Sequence, residues 1–547
     1  MFISPTKAED SEHVWWKHGV VYHIYPMSFY DSNHDGLGDL QGIIRKLDYI
    51  KDLGVNAIWL SPIYKSPQKD FGYDISDYYE IDPIYGTMDD FNQLLHACYQ
   101  RDIHVIMDLV MNHTSNQHPW FLESKSSREN PKRDWYLWSD GLKKKPVNNW
   151  KNAFGGSAWQ FDETTQSYYM HSFLKEQPDL NWRCKEMADE FFAIIDFWLQ
   201  KGVDGFRLDV INMIVKDKQL RSNPVFAFLP WFQKHIYNRN RKGAFKVVER
   251  LRKHLDTYPN RISIGEIYVL PPGKPKTVMK YINKNKRRLH LAFDFSLVFR
   301  PFNARVYYKY LKKWNNNADK IEWATHVFSN HDLGRNYNRL WFRRNKHDVA
   351  KLIALFQFTV KGTPFIYYGE EIGMGNVRIP KNELKDPLGK KIWPLYSGRD
   401  KCRTPMQWDD DDFGGFSTVK PWLPIDTKWR HRCVKTLEEL HYSILNHYKF
   451  LIALRNENPA LHKGDWIPFI KGRDGVLGYF RQFENQKYLI LINFKPKQRR
   501  IDLPEATEFK KIYSTNEIHC DTLHSESILL DKYEGIILYD RMRKWDT

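Results

Sequence analysis

The chain has 547 residues, 42% of them hydrophobic, so it exceeds one ordinary domain and can bury large cores without metal or disulfide staples. Its 83 basic against 66 acidic residues leave a net charge of +17. The basic clusters Lys143 to Lys145, Lys284 to Arg288 and Lys497 to Arg500 are short and scattered among globular patterns, which reads as a solvated surface and excludes a nucleic-acid-binding arm.

Five cysteines (Cys98, Cys184, Cys402, Cys433 and Cys520) lie far apart with no C-x-x-C spacing, as expected of a reducing compartment. Met1 to Trp16 has no apolar signal core, and no run approaches the ~18 apolar residues of a membrane span. The expectation is a cytoplasmic protein, a monomer or weak homo-oligomer, with neither nucleic acid nor membrane as partner.

Short apolar, β-rich runs alternate with longer helical patterns. Val20 to Tyr25 predicts a first strand. A helix follows from Asp39 to about Leu53, with Leu40, Ile43, Ile44, Leu47, Ile50 and Leu53 on one buried stripe and Gly54 as its stop. Asn56 to Leu60 predicts the second strand, and Thr87 is the N-cap of a helix that turns Met88, Phe91, Leu94 and Leu95 inward. Further strands are expected at His104 to Val110, Val203 to Leu208, Arg261 to Gly265, Leu289 to Phe295, Thr325 to Ser329 and Pro364 to Tyr367. Eight such strands, each buried on both faces and alternating with helices, fit a closed (β/α)8 TIM barrel. An open doubly wound sheet would need a Gly-rich phosphate turn, and G-x-G-x-x-G is absent.

The polar, aromatic stretch 114–181 lies between the third and fourth strands and reads as an inserted subdomain over the barrel mouth. After His462 the pattern becomes alternating, with strands expected at Val476 to Phe480, Tyr488 to Asn493, Ser527 to Leu530 and Gly535 to Tyr539. The expected organisation is a barrel from 1–113 and 182–462, the insertion 114–181, and a C-terminal antiparallel β-sandwich domain, 463–547.

Polar residues at the C-terminal ends of barrel strands point into the active site. Strand three ends Asp108 to His113, strand four Gly205 to Val210, strand five Gly265-Glu266, and strand seven Ser329 to Asp332. A lone Asp is more often a cap or a structural ion pair, but four such endings in register suit glycosidic cleavage. Retention needs a carboxylate nucleophile and a second carboxyl that acts as acid and then base. Asp209 is assigned as nucleophile, held ionised by Arg207 two residues earlier on the same strand face. Glu266 is the proton donor, its pKa raised by desolvation and nearby negative charge. Asp332 would bind sugar hydroxyls, with His113 and His331 donating to the same ring. The histidines could instead be satisfied core residues or zinc ligands, although no H-E-x-x-H spacing exists.

These four strand-end motifs resemble those of the α-amylase family of glycoside hydrolases, from about Trp15 to the C-terminus. Gln177 to Asn181 (QPDLN) is similar to the segment that marks the oligo-1,6-glucosidase and α-glucosidase branch. In Asp70-Phe71-Gly72-Tyr73-Asp74, the resemblance implies that Asp70 grips the outer hydroxyls of a terminal glucose and that Tyr73 stacks on its ring. It also implies that Arg403, within Arg399 to Trp408, pairs with Asp70 across the pocket floor. Their plainer readings are a Gly72 turn capped by Asp74 and a loop salt bridge.

The first loop, Asp31 to Asp39, sets oxygen side chains at alternate positions before a Gly, like the opening of a calcium-binding loop, but it lacks the distal bidentate Glu. The resemblance supports a structural Ca²⁺ held by Asp31, Asn33, Asp35, the Leu37 carbonyl and Asp39, with His34 where related enzymes often have Gly. The alternative is an Asx-turn-rich loop without metal.

Val210 resembles members that prefer α-1,6 bonds, which predicts an exo-acting enzyme on short oligosaccharides of isomaltose type. Three alternatives stand beside it. Trehalose-6-phosphate hydrolysis would place the phosphate near Lys216. Glucosyl transfer or sucrose isomerisation would use the same intermediate. A non-catalytic transporter subunit would lack the triad, and Asp209, Glu266 and Asp332 are all present.

Overall fold

A computed structural model describes residues 14–143, 145–226, 229–268, 274–339, 345–504 and 508–540. Eight parallel strands form its centre: β1 Val21–Ile24, β2 Ala57–Leu60, β3 His104–Leu109, β4 Gly205–Leu208, β5 Ile262–Glu266, β6 Leu291–Phe293, β7 Thr325–Val327 and β8 Thr363–Tyr367. Each falls on one of the eight expected runs, with Ile262–Glu266 running one residue further and Thr363–Tyr367 starting one residue earlier than expected. Their order is β6-β5-β4-β3-β2-β1-β8-β7, so the sheet curls until β6 and β7 face one another. The Thr325 hydroxyl donates across that seam to the Ala292 carbonyl at 2.8 Å. The (β/α)8 barrel expected from the alternation is therefore the fold.

Alternate strand residues fill the interior: Val21, Trp59, Ile106, Ile264, Phe293 and Phe365 belong to one buried cluster. At this level β4 supplies Gly205, where a Cβ would lie 2.5 Å from Ile262 Cγ1, so only glycine fits. The next inward residue of β4 is Arg207, whose guanidinium lies 5.2 Å from the Trp59 ring. A charge thus sits on top of an apolar plug.

The expected helix from Asp39 to Leu53 is two helices, Leu40–Arg45 and Leu47–Asp52. Lys46 breaks them at ψ 6°, its ammonium 4.4 Å from the Tyr30 ring and 4.5 Å from the Trp408 ring. The apolar stripe survives the break, since Leu40, Ile43, Leu47, Ile50 and Leu53 are all buried. Thr87 caps helix Met88–Gln100 in a reciprocal box with Asp90.

Between β3 and β4 the chain forms a small sheet of Trp138–Ser139, Trp159–Asp162 and Ser167–Met170. From Asp465 onward a six-stranded antiparallel sheet follows, in the order 465–471, 476–483, 486–493, 535–540, 509–514 and 522–524. Strand Asp465–Lys471 was not anticipated because it is an exposed edge strand carrying Pro468, without inside–outside alternation. No described helix is long and apolar enough to cross a membrane.

Candidate active site

Register brings the first partners together. Asp108 on β3 lies directly beside Arg207 on β4, which in turn lies beside Ile264 on β5, two residues before Glu266. Arg207 is fully buried. Its Nη1 donates to both oxygens of Asp108 at 2.7 and 2.8 Å and to Asp209 Oδ1 at 3.0 Å. Its Nη2 donates closely to Glu266 Oε2. One guanidinium therefore ties together carboxylates from three successive strands. Asp108 was not among the residues assigned a role, although its strand-end motif was recognised; the inward alternation from Ile106 is the signal that points to it.

Backbone geometry sets the other side. Val210 adopts φ 34°, ψ 42°, a left-handed conformation that a β-branched residue holds only under strain. Asn212 then clamps the β4 and β5 ends: its Nδ2 donates to the Tyr268 carbonyl at 2.9 Å and its Oδ1 accepts the Tyr268 N–H at 3.0 Å. Asp209 and Glu266 are thus held from below by Arg207 and from behind by this clamp.

Asp332, at the end of β7, accepts from Arg403 Nη2 at 2.9 Å and Arg399 Nη1 at 3.4 Å, with His331 Nε2 at 3.1 Å. Asp70 accepts from Arg399 Nη2 at 2.5 Å and Gln177 Nε2 at 3.1 Å. This corrects the expected pairing: Arg399, not Arg403, is the partner of Asp70. The 3-10 turn Asp400–Cys402 carries Arg403 beneath the site, where its Nε donates to the His331 carbonyl at 2.8 Å. Arg399 also pairs with Asp386 at 2.7 Å and was not assigned a role from the sequence.

Tyr73 donates to Asp108 Oδ2 at 2.9 Å and stacks on His331, ring centroids 5.3 Å apart. His331 is fully buried behind it, with Nε2 2.7 Å from the Tyr73 hydroxyl. His113 Nε2 lies 3.0 Å from the Tyr73 carbonyl and 3.1 Å from Gln177 Nε2.

These side chains surround one end of a cavity of about 320 Å³. Asp70, Tyr73, His113, Asp209, Glu266 and Asp332 line it, together with Arg399. Phe154, Phe173, Val210, Ile267, Phe295 and Leu333 are among its apolar lining. Of the expected site residues, Arg207, His331 and Arg403 do not line it, being buried one layer behind. Lys216 is fully buried, paired with Asp179 at 2.6 Å and Asn112 Oδ1 at 2.7 Å, so it has no free ammonium for a substrate phosphate.

Burial dominates the electrostatics. It pushes Asp209 well above the usual aspartate range against the pull of Arg207, with Glu266, Asp108 and Asp332 pushing the same way. Glu266 is raised too, by burial and then by Asp332 and Asp108, again against Arg207. Arg207 alone therefore does not hold Asp209 ionised, because its single charge is shared among three carboxylates. Asp332 is the opposite case. Burial opposes its ionisation, but His331, Arg399 and Arg403 together hold it well below the usual range. Burial lowers His113 to about 4, so its ring is neutral near neutrality.

The loop Asp31 to Asp39 folds back on its own backbone. Asp31 Oδ1 accepts from the His34 N–H at 2.7 Å and Oδ2 from the Gly36 N–H at 2.8 Å. Asp35 Oδ1 accepts from the Leu37 N–H at 2.8 Å, and Asp39 from the Gly42 N–H at 2.6 Å. Asn33 Nδ2 donates to Asp35 Oδ2 at 3.1 Å. His34 takes the left-handed φ of 66° that a glycine would more readily adopt. The five candidate residues offer oxygen, the chemistry Ca²⁺ takes, although the carboxylates of Asp31, Asp35 and Asp39 do not all come within 4.8 Å of one another.

Comparison with known proteins agrees with this geometry. The family model described as "Alpha amylase, catalytic domain" matches residues 23–464. A probable α-glucosidase of Rhizobium meliloti is 41% identical over 90% of this chain and 91% of its own. An oligo-1,6-glucosidase of Parageobacillus thermoglucosidasius is 38% identical over 93% and 94%. Among solved structures, an α-glucosyl transfer enzyme superposes with a TM-score of 0.90 at 36% identity, covering 97% of this chain and all of that one. Carboxylates at the strand ends of a parallel barrel and similarity of this extent lead to one conclusion: the chain belongs to the α-amylase family of glycoside hydrolases.

Proposed function

We propose that the chain is a retaining, exo-acting α-glucosidase that hydrolyses terminal α-glucosidic bonds of short oligosaccharides, the α-1,6 bond of isomaltose above all. The observation that carries this reading is the joining of Asp209 and Glu266 to one guanidinium at the end of a cavity that the Asp70–Arg399 ion pair closes. A closed end admits a terminal glucose and turns a continuing chain away.

Asp209 attacks the anomeric carbon while Glu266 gives its proton to the leaving glycosidic oxygen. The C–O bond breaks, the free sugar departs, and a glucosyl ester forms on Asp209. Glu266, now ionised, takes a proton from water; the hydroxide oxygen displaces Asp209, and α-glucose leaves after two inversions. Asp332, held ionised by its cationic neighbours, accepts hydrogen bonds from ring hydroxyls and offsets developing positive charge at the anomeric centre. Val210 borders the aglycone, where its shape selects linkage by ~1–3 kcal/mol, so some α-1,4 cleavage persists.

Glucosyl transfer is the second reading. It uses the same ester, intercepted by a sugar instead of water, and is favoured by likeness to a protein described as an α-glucosyl transfer enzyme. We also propose a structural Ca²⁺ held by Asp31, Asn33, Asp35, the Leu37 carbonyl and Asp39, which would pin the first loop without entering the chemistry. All five cysteines are free, which supports a reducing compartment such as the cytoplasm.

The test is to mix the protein with isomaltose, maltose, trehalose, trehalose 6-phosphate and sucrose and follow sugar release by NMR. α-Glucose released first from isomaltose, and lost ~10⁴-fold in Asp209→Asn, is expected. Preference for maltose would overturn the linkage assignment. Release chiefly from trehalose 6-phosphate would replace the substrate.

A further inference from the structure

The positive charge of this chain is concentrated in one place. Residues 274–320 hold 13 Lys and Arg against two acidic residues, Asp294 and Asp319, a charge of +11 along the sequence; of these cations Arg287 and Arg288 pair with Asp256 and Glu249 outside the stretch, and Lys274 lines the cavity. This stretch forms helix Pro275–Tyr281, strand β6 and helix Ala304–Asn315. The lower ends of the two helices meet where Asn283 pairs with Ile321 and the Lys284 N–H donates to the Lys320 carbonyl at 3.0 Å. The segment is therefore one continuous sector of the barrel's outer wall.

Lys276, Lys280, Lys284, Lys286, Lys309 and Lys312 are all exposed on it, and among the described residues none has a carboxylate within ion-pair distance. Asp294 offers no compensation, because it is buried and bound to Ser296 and Trp314. Some exposed lysines elsewhere are paired, Lys65 with Glu80, Lys185 with Asp189, and Lys435 with Asp409 and Asp410, and others such as Lys51, Lys151 and Lys218 stand singly and not in a cluster.

The spacing works partly against the fold, although Lys280, Lys312 and Lys313 lie in the last turns of their helices, where a cation is favoured. Lys276 and Lys280, Arg305 and Lys309, and Lys309 and Lys313 are like-charge pairs at i,i+4 on helices, a spacing that destabilises. Clustered exposed cations with no carboxylate beside them are complementary to an anionic partner. The aromatic residues of helix Ala304–Asn315 offer no stacking platform for bases, since Tyr307, Tyr310 and Trp314 are buried on its inner face. Nine of the 13 cations are lysines, compact point charges and not the planar forks that read bases or grip single phosphates. A convex wall of exposed lysines fits a broad, diffuse anionic surface.

We propose that this sector docks the enzyme peripherally on bilayers rich in anionic lipid. Lysines held near such a surface each add to the attraction, and the attraction is screened by salt. This revises the expectation that no membrane is a partner, and it is separate from spanning, for which no described helix qualifies.

Vesicle co-sedimentation with the full-length protein tests it, using pure phosphatidylcholine and a mixture containing phosphatidylglycerol, at low and high salt. Expected are binding to the phosphatidylglycerol vesicles alone and release by salt. The triple variant Lys280→Glu, Lys284→Glu, Lys286→Glu should bind at least ~100-fold more weakly. Its hydrolysis of soluble isomaltose should be unchanged. A control triple, Lys428→Glu, Lys435→Glu, Lys463→Glu, changes total charge equally and should bind like the parent protein. The proposal is overturned by no binding to phosphatidylglycerol, by equal binding to phosphatidylcholine, by equal loss in the control triple, or by tighter binding to duplex DNA than to the vesicles.

Discussion

Arg399 and Arg403 stand four residues apart in one motif, and their surroundings give them different work. Arg399 lines the cavity and joins Asp70 to Asp332, whereas Arg403 is sealed beneath, bound to the His331 carbonyl and to Asp332. Arg399→Ala should therefore lower kcat/KM for isomaltose by about 100-fold, as Asp70 and Asp332 lose a charge-assisted partner at the cavity, with a smaller stability loss than Arg403→Ala from the unpaired Asp386. Arg403→Ala should lose about 3–5 kcal/mol of stability in denaturant titration, because Asp332 and a carbonyl lose a buried partner. Equal Tm loss in both variants would show that Arg399 is structural too. Asp209 and Glu266 make a pH prediction. The proposed mechanism needs Asp209 ionised and Glu266 protonated, and both groups are pushed up by burial, so the bell of kcat/KM against pH should lie above the range of ordinary carboxyls. Asp108 pushes both the same way, so Asp108→Asn should move both limbs toward lower pH, and a shift in the other direction would contradict the shared-charge picture. The places of the carboxylates to which we assign catalysis were legible because each ends a strand inside a motif with fixed inward alternation. The Asp70 partner was not legible, because a 3-10 turn between two arginines decides which one faces the cavity, and residue spacing does not reveal that turn.

At the scale of elements, strands buried on both faces are the most legible, since near-continuous apolar runs have no other use in a chain of this composition. The helix expected after β1 kept its stripe but lost its continuity at Lys46, where two aromatic rings take up the ammonium; those rings come from Tyr30 and the distant Trp408, so local pattern held only half the cause. The loop between β1 and that helix yields the next prediction. Its oxygen side chains already bind backbone N–H groups, so it can close without an ion, and a proposed Ca²⁺ would add stability in proportion to its occupancy. At Ca²⁺ ~100-fold above Kd the gain is about 2.7 kcal/mol. A chelator should lower Tm, and added Ca²⁺, but not Na⁺, should restore it. Asp35→Asn, at an exposed position, should reduce that response without changing kcat at 25 °C. A Tm indifferent to chelator would favour the self-capped loop.

At the scale of the molecule, the C-terminal sheet and the barrel are joined by two buried cations with no carboxylate between them. Arg481, on strand Val476–Phe483, donates to the Thr359 carbonyl at 2.5 Å and the Gly464 carbonyl at 2.8 Å. Arg455, on helix Ile444–Glu457, donates to the carbonyls of Phe358, Val360 and Leu461 at 3.0–3.2 Å and of Gly362 at 2.6 Å. Burial, and then the neighbouring charge of Arg481, pushes Arg455 down to about 9, a sign of how little water reaches the pair. The backbone end of helix Lys346–Thr359 thus solvates two like charges, and apolar packing lies close beside it: a Cβ on Gly535 would lie 2.3 Å from Leu355 Cδ2. None of this was legible, because two arginines in a basic chain read as surface. Replacing Arg481 by Met keeps the stem but leaves the Thr359 and Gly464 carbonyls without a donor, at ~1–3 kcal/mol each. Arg481→Met should therefore lose about 2–5 kcal/mol in denaturant titration. Parent protein should unfold in a single calorimetric transition, since the same helix end serves both units. In the variant that transition should broaden or split, the C-terminal sheet melting first while isomaltose hydrolysis persists below its melting point. An unchanged Tm and a single sharp transition would mean that apolar packing around Gly535 holds the two units together unaided.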